Sequence, residues 1–152
     1  MLSHAAEVSF QQGMEHLAER RHREGLAFFR GAIEIEKRCG NRRAQARYLS
    51  NYGLCLALTN GDLHEAVCAC RKAARQEGYR PEVCWNLGRV LMLANKRREA
   101  HRAFTWGLRM QPDHPGILGE IQRMGARRRP VLPFLHRANA INVLLGRLRS
   151  VA

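Results

Sequence analysis

Acidic residues are scarce in this chain of 152 residues. There are 13 Asp and Glu against 26 Lys and Arg, which gives a formal net charge of +13. An excess of this size favours acidic partners, such as an acidic protein segment, nucleic acid or an anionic membrane surface. It is equally typical of a solvated protein face rich in arginine. Charge alone therefore leaves the class of partner open.

Long apolar runs are also missing. No run approaches the length of a membrane-spanning helix. The first ten residues include His4 and Glu7 and lack the continuous apolar core that a signal peptide needs. We therefore expect a cytoplasmic protein.

With 45% hydrophobic residues, the chain has enough apolar material for the core of one domain.

The residue sets that enzymes use are absent as well. The seven histidines are scattered, the glycines form no phosphate-binding loop, and the cysteines show no CxxC spacing. We expect no catalytic site, no metal and no cofactor. In a reducing compartment the five cysteines are expected to be small buried thiols: Cys39, Cys55, Cys68, Cys70 and Cys84.

Two amphipathic helices joined by a polar turn are predicted between Pro81 and His114. Apolar residues recur there at the spacing of one helix face, break at Asn95 and Lys96, and then resume. Neither helix can bury its apolar stripe alone in water. We therefore expect the two helices to pack as a hairpin against further hairpins.

Small residues mark the contact within this hairpin. Gly88 and Ala100 let the two backbones approach closely, and Phe104 fills the wedge beside them. The same offsets recur around Gly13 and, lengthened by one residue, around Gly53. The chain is therefore built from an internal repeat of helical hairpins.

The pattern resembles the tetratricopeptide (TPR) repeat in the order and spacing of Asn86, Leu87, Gly88, Ala100, Phe104, Gly107 and Pro112. Cys84 fills the usual tryptophan position, and Trp85 follows it. The resemblance implies an all-α, right-handed solenoid of three hairpins, over residues 5–38, 44–79 and 81–114.

A capping helix over residues 115–129 is predicted to follow the third hairpin. Asp113 is expected to be its N-cap and Pro115 to lie in its first turn. It would cover the open end of the solenoid with one face, formed by Ile117, Leu118, Ile121 and Met124. Residues 130–152 are expected to form a basic, proline-containing tail that ends in a further helix.

TPR proteins hold extended peptides or partner helices in a groove lined by the first helix of each hairpin. The resemblance therefore implies a non-catalytic adaptor or chaperone-like module whose partner is a peptide or helix of another protein. Matching the family's groove positions one by one gives Phe10, Gln11, Met14, Arg47, Asn51, Leu54, Glu82, Trp85, Asn86 and Arg89.

Two kinds of polar side chain carry the implied recognition. The family's amides at the positions of Asn51 and Asn86 bind a peptide backbone, while Arg47 and Arg89 could each pair with a carboxylate. Such a groove suits an apolar peptide with one or two acidic residues. Trp85 could equally pack in the core between repeats.

Nucleic acid or anionic lipid is the alternative partner, bound by the arginine-rich surface and tail through phosphate contacts. The arginines at this basic end of the chain are Arg127, Arg128 and Arg129, just before the tail, and Arg137, Arg147 and Arg149 within it. Aromatic residues make up only 7% of the chain, and this leaves few exposed rings on which bases could stack. The oligomeric state stays open.

Overall fold

The computed structural model describes residues 2–40, 45–59 and 61–125, without the side chains of residues 2 and 3. Seven α-helices and no strand are found in these ranges: α1 Leu2–Ala18, α2 His22–Arg38, α3 Ala46–Leu58, α4 Leu63–Glu77, α5 Pro81–Leu93, α6 Arg97–Met110 and α7 Pro115–Met124.

The helices pack in consecutive pairs, α1 with α2, α3 with α4 and α5 with α6. Each pair contacts the next, and α7 packs against α6 and α5 at the end of the array. The predicted all-α solenoid of helical hairpins is therefore confirmed. The predicted tail over residues 130–152 lies outside the described residues, and so do the last residues of the predicted capping helix, so that all six C-terminal arginines are outside them.

Each hairpin is closed by contact between a glycine on its first helix and a side chain on its second. A Cβ atom on Gly13 would lie 2.6 Å from the ring of Phe29, and one on Gly53 would lie 2.7 Å from the sulfur of Cys70. At Gly88 the ring of Phe104 stands closer still. Because both phenylalanines are fully buried, they have no room to move aside.

The turns follow from local chemistry. Asn95 adopts a φ of +57° directly after α5, and Gly40 adopts +81° after α2, so both lie in the left-handed region that ends helices. Asp62 caps α4 by accepting hydrogen bonds from the backbone N–H groups of His64 and Glu65. Asp62 and Asn95 therefore define the turns within the second and third hairpins, and Gly40 ends the first hairpin.

The N-cap of α7 is His114, and the prediction of Asp113 was wrong. The Nδ1 atom of His114 accepts a hydrogen bond from the backbone N–H of Ile117 at 3.2 Å. An imidazole nitrogen can satisfy a helix N-terminus as a carboxylate does, and this ring is only 7% exposed. Ile117 is fully buried, whereas Leu118, expected on the same face, is 38% exposed.

The cysteines divide into two groups. Cys55, Cys70 and Cys84 are buried as expected, and burial raises the pKa of each thiol, to about 12, 12 and 11 respectively. Cys39 and Cys68 are exposed, so the expectation of five buried thiols was wrong for these two. Cys68 and Cys70 are two residues apart on α4, so they point to nearly opposite sides of the helix. Cys70 therefore faces the core and Cys68 faces solvent.

We expect Gly88→Ala to destabilise the fold by about 2 kcal/mol, even though alanine is the better helix former. The added methyl group would meet the buried ring of Phe104. Gly119→Ala in α7 is the matched control, because among the described residues the nearest atom to its added Cβ, outside the helix's own backbone, is the end of the Arg123 side chain, 4.0 Å away. That variant should gain up to about 1 kcal/mol. Urea unfolding measures both, and equal effects at the two sites would contradict the packing account.

Candidate functional site

A groove of about 390 Å³ lies between α1, α3 and α5, the first helices of the three hairpins. Its wall is mainly apolar, with charged side chains at intervals. The lining residues are Phe10, Met14, Leu17, Ala18, Arg47, Ser50, Asn51, Leu54, Arg80, Glu82, Val83, Trp85, Asn86 and Arg89. We call this cavity the groove.

The structure brings the predicted groove residues together, with one exception. Gln11 is exposed and does not line the groove, and its side-chain amide donates a hydrogen bond to Glu7 at 2.9 Å. Leu54 and Asn86 are only 1% and 5% exposed, so they form the buried part of the wall. Met14 is 37% exposed and lies at the open side.

A chain of amides connects α5 to α3. The Nδ2 group of Asn86 donates to the hydroxyl of Ser50 at 3.0 Å and to Oδ1 of Asn51 at 3.3 Å. The Nδ2 group of Asn51 donates in turn to the backbone carbonyl of Arg47 at 2.9 Å. Both N–H bonds of Asn86 are therefore used inside the protein, while its Oδ1 and one N–H of Asn51 stay free of hydrogen bonds to the described residues.

Arg47 is held in place by the protein's own carboxylate. Its guanidinium donates to both carboxylate oxygens of Glu7, once at 3.1 Å, and lies 5.0 Å from the ring centre of Phe10. The hydroxyl of Tyr48 donates to the same carboxylate at 2.9 Å. Burial raises the pKa of the Glu7 carboxyl, but these contacts and the hydrogen bond from Gln11 outweigh burial and lower it.

Arg89 is less completely paired. Its closest carboxylate is that of Glu120, at 3.9 Å, and the guanidinium makes no hydrogen bond to any described residue. The guanidinium lies 5.2 Å from the ring centre of Trp85. Burial lowers the pKa of Arg89, and the charge of Glu120 opposes that effect. Arg89 is thus a partly desolvated cation in the groove wall, and its guanidinium has N–H groups that make no hydrogen bond to the described residues.

Trp85 serves the groove and the core at once. One part of its ring lines the groove, while another lies against Gly116 in α7, where an added Cβ would stand 2.5 Å from the ring. The ring also meets that of His114 at a centroid distance of 5.3 Å. Its Nε1–H is buried and has no hydrogen-bond partner among the described residues. Trp85 therefore both lines the groove and packs against α7.

Two carboxylates that face the groove arginines, Glu7 and Glu120, were not predicted from the sequence. Glu7 precedes Phe10 and Gln11 by one helical turn, so helical spacing could have placed it on their face. Glu120 follows Asn86 by 34 residues, nearly the interval that separates Asn51 from Asn86. Extending the repeat by one unit would have identified it.

The described ranges offer no group of three or more His, Cys, Asp or Glu side chains that could hold a metal ion. In those same ranges, no helix is both long and apolar enough to cross a membrane.

We expect Glu7→Gln to lower the free energy of unfolding by about 1 kcal/mol at neutral pH. The lowered pKa means that ionised Glu7 contributes fully above its unfolded pKa near 4.5, and that this contribution is lost as pH falls through the folded value. The stability curves of wild type and variant should therefore converge below about pH 4.5. Thermal unfolding from pH 3 to pH 7 measures this.

Glu15→Gln is the control for this experiment, because Glu15 is exposed on the same helix and makes no ion pair among the described residues. A difference between wild type and Glu7→Gln that stays constant with pH would contradict the role given to the Glu7 carboxylate.

Comparison with known proteins bears on the fold. No protein-family model matches the chain, and no curated protein matches it at a significant level. Among solved structures, the TPR domain of Arabidopsis OM64 aligns with a TM-score of 0.67 and 18% identity, over 82% of this chain and 97% of that domain.

A second similar structure is YrrB, described as a TPR protein with an unusual peptide-binding site. It aligns with a TM-score of 0.61 and 19% identity over 77% of this chain. The alignment spans 57% of the YrrB chain, so this chain corresponds to little more than half of it. Sequence identities of 18% and 19% are evidence for the fold alone. The resemblance predicted from the sequence is confirmed at that level: the chain has the tetratricopeptide-repeat fold.

Proposed function

We propose that the chain is a non-catalytic protein-interaction module, an adaptor or chaperone-like protein, that holds a peptide or helix of a partner in the groove. The observation that carries this proposal is the groove itself, an open cavity of about 390 Å³ with apolar walls. Clefts of this size with a few placed polar groups are typical ligand sites. Met14 and Trp85 supply apolar surface from two different hairpins, so one bound segment would span the array.

The proposed ligand carries apolar side chains and one carboxylate. Arg47 already has a carboxylate partner in Glu7, whereas Arg89 has Glu120 only at 3.9 Å. A ligand carboxylate beside Trp85 could form the short, two-point contact with the Arg89 guanidinium that Glu120 does not make. Partial burial strengthens such a contact, since fewer water molecules compete for the guanidinium.

The side-chain amides of Asn51 and Asn86 would form hydrogen bonds with the backbone of the ligand. The free N–H of Asn51 can donate to a peptide carbonyl, and Oδ1 of Asn86 can accept from a peptide N–H. These two amides are joined by a hydrogen bond, so they are held ready before the ligand arrives. Preorganisation of this kind reduces the entropic cost of binding.

The structural similarity to YrrB supports this proposal at the level of fold, because that protein is described as having a peptide-binding site. The chemistry of the ligand rests on the residues of this groove alone.

A charge placed in the groove should abolish binding. The probe is one synthetic peptide, selected against the full chain from a display library and labelled with fluorescein. We expect Met14→Glu to weaken its binding at least about 10-fold, because a carboxylate would face the apolar side chains of the ligand. Fluorescence anisotropy measures the dissociation constant.

Val8→Glu is the matched control, because Val8 is a similarly exposed apolar residue on the same helix and does not line the groove. It should leave the affinity unchanged. If the two variants weaken binding equally, or neither does, the groove is not the site.

A further inference from the structure

A second surface lies outside the groove, on the helices α4 and α6 and the turn between α4 and α5. Trp106 is 47% exposed there, and its Nε1–H donates to the carbonyl oxygen of Gly78 at 2.9 Å. The hydrogen bond fixes one edge of the indole to the turn and leaves much of the ring in solvent. The structure thus exposes a fixed aromatic ring in a chain whose low aromatic content predicted few exposed rings.

Arginines flank Trp106 along α6. Arg102 lies four residues before it and Arg109 three residues after it, so all three share one helix face. The guanidinium of Arg109 lies 5.5 Å from the indole centroid. A cavity of about 420 Å³ between α4, α5 and α6 is lined by Trp106, Arg102 and, from the opposite helix, Arg71.

The charge of this surface is largely uncompensated. Helices α4 and α6 together carry seven Lys and Arg but only three Glu. Two of those acids are paired, Glu99 with Arg71 and Glu77 with Arg80. Within the described ranges no ion-pair partner is found for Arg102 or Arg109, the arginines beside the ring.

We propose that this surface, formed by Trp106, Arg102 and Arg109 with Arg71 across the cavity, binds single-stranded nucleic acid. Guanidinium groups attract phosphates without regard to sequence, and a ring held at a fixed angle offers a face on which a base can stack. An acidic peptide would satisfy the arginines but would leave the open face of the indole unused. The combination of a fixed ring and free cations therefore favours nucleic acid, and this activity is independent of peptide binding in the groove.

Stacking is tested first with a labelled 20-nucleotide oligouridylate and the full-length chain, by fluorescence anisotropy at 50 mM and 200 mM salt. Trp106→Ala should weaken binding about 5- to 100-fold at both salt concentrations. Trp106→Phe keeps a smaller ring but loses the hydrogen bond to Gly78, and it should weaken binding less than Trp106→Ala does. Leu93→Ala removes an equally exposed residue elsewhere and should change nothing. Circular dichroism verifies that each variant stays helical.

The arginines are tested through the salt dependence. The double variant Arg102→Gln with Arg109→Gln should reduce the slope of log K against log salt by about 1.4, at about 0.7 per lost phosphate contact. Inorganic polyphosphate, which has charge but no bases, should bind this variant more weakly and should bind Trp106→Ala as it binds the wild type.

Three results would overturn the proposal. The first is the absence of oligouridylate binding at 50 mM salt. The second is wild-type affinity in Trp106→Ala, which would assign any nucleic-acid binding to another part of the chain. The third is binding of polyglutamate as tightly as oligouridylate with the same loss in Trp106→Ala, which would make the partner an acidic protein. Met14→Glu should bind oligouridylate normally, so failure here and failure of peptide binding in the groove are distinguishable.

Discussion

Close contact between the two helices of each hairpin is the constraint on which the rest of the structure depends. A glycine in the first helix receives a side chain from the second, Phe29 at Gly13 and Phe104 at Gly88. These tight hairpins stack on one another, so the first helices α1, α3 and α5 lie on a common side and together line one groove. A methyl group at either glycine would push the helices apart and so alter the shape of the groove.

The groove and the surface around Trp106 differ in how far their arginines are paired with carboxylates of the protein. In the groove, the protein supplies its own carboxylates: Glu7 holds Arg47 firmly and Glu120 holds Arg89 loosely. Around Trp106, Arg71 pairs with Glu99, but Arg102 and Arg109 have no carboxylate partner among the described residues. The first arrangement suits an apolar ligand with few charges, and the second suits a polyanion. A basic chain can in this way present a groove that is not itself strongly basic.

The sequence predicted the structure correctly where the backbone geometry admits only one kind of residue. The spacing of Gly88, Ala100 and Phe104 predicted the hairpins, because only small residues fit where two helices touch. It failed where side chains from distant repeats meet: the pairing of Glu7 with Arg47 spans 40 residues, and no local pattern encodes it. It also failed at α7, where a buried histidine took the role of an exposed aspartate as N-cap.

Photo-cross-linking from inside the groove tests most directly whether the groove binds the partner. The photoreactive residue p-benzoylphenylalanine would replace Met14 in one variant and Val8 in another, since both residues are exposed on α1 and only Met14 lines the groove. With a selected peptide bound, the Met14 variant should form a cross-link that excess unlabelled peptide abolishes. The Val8 variant should form none. A cross-link from Val8 with none from Met14 would contradict the proposed role of the groove.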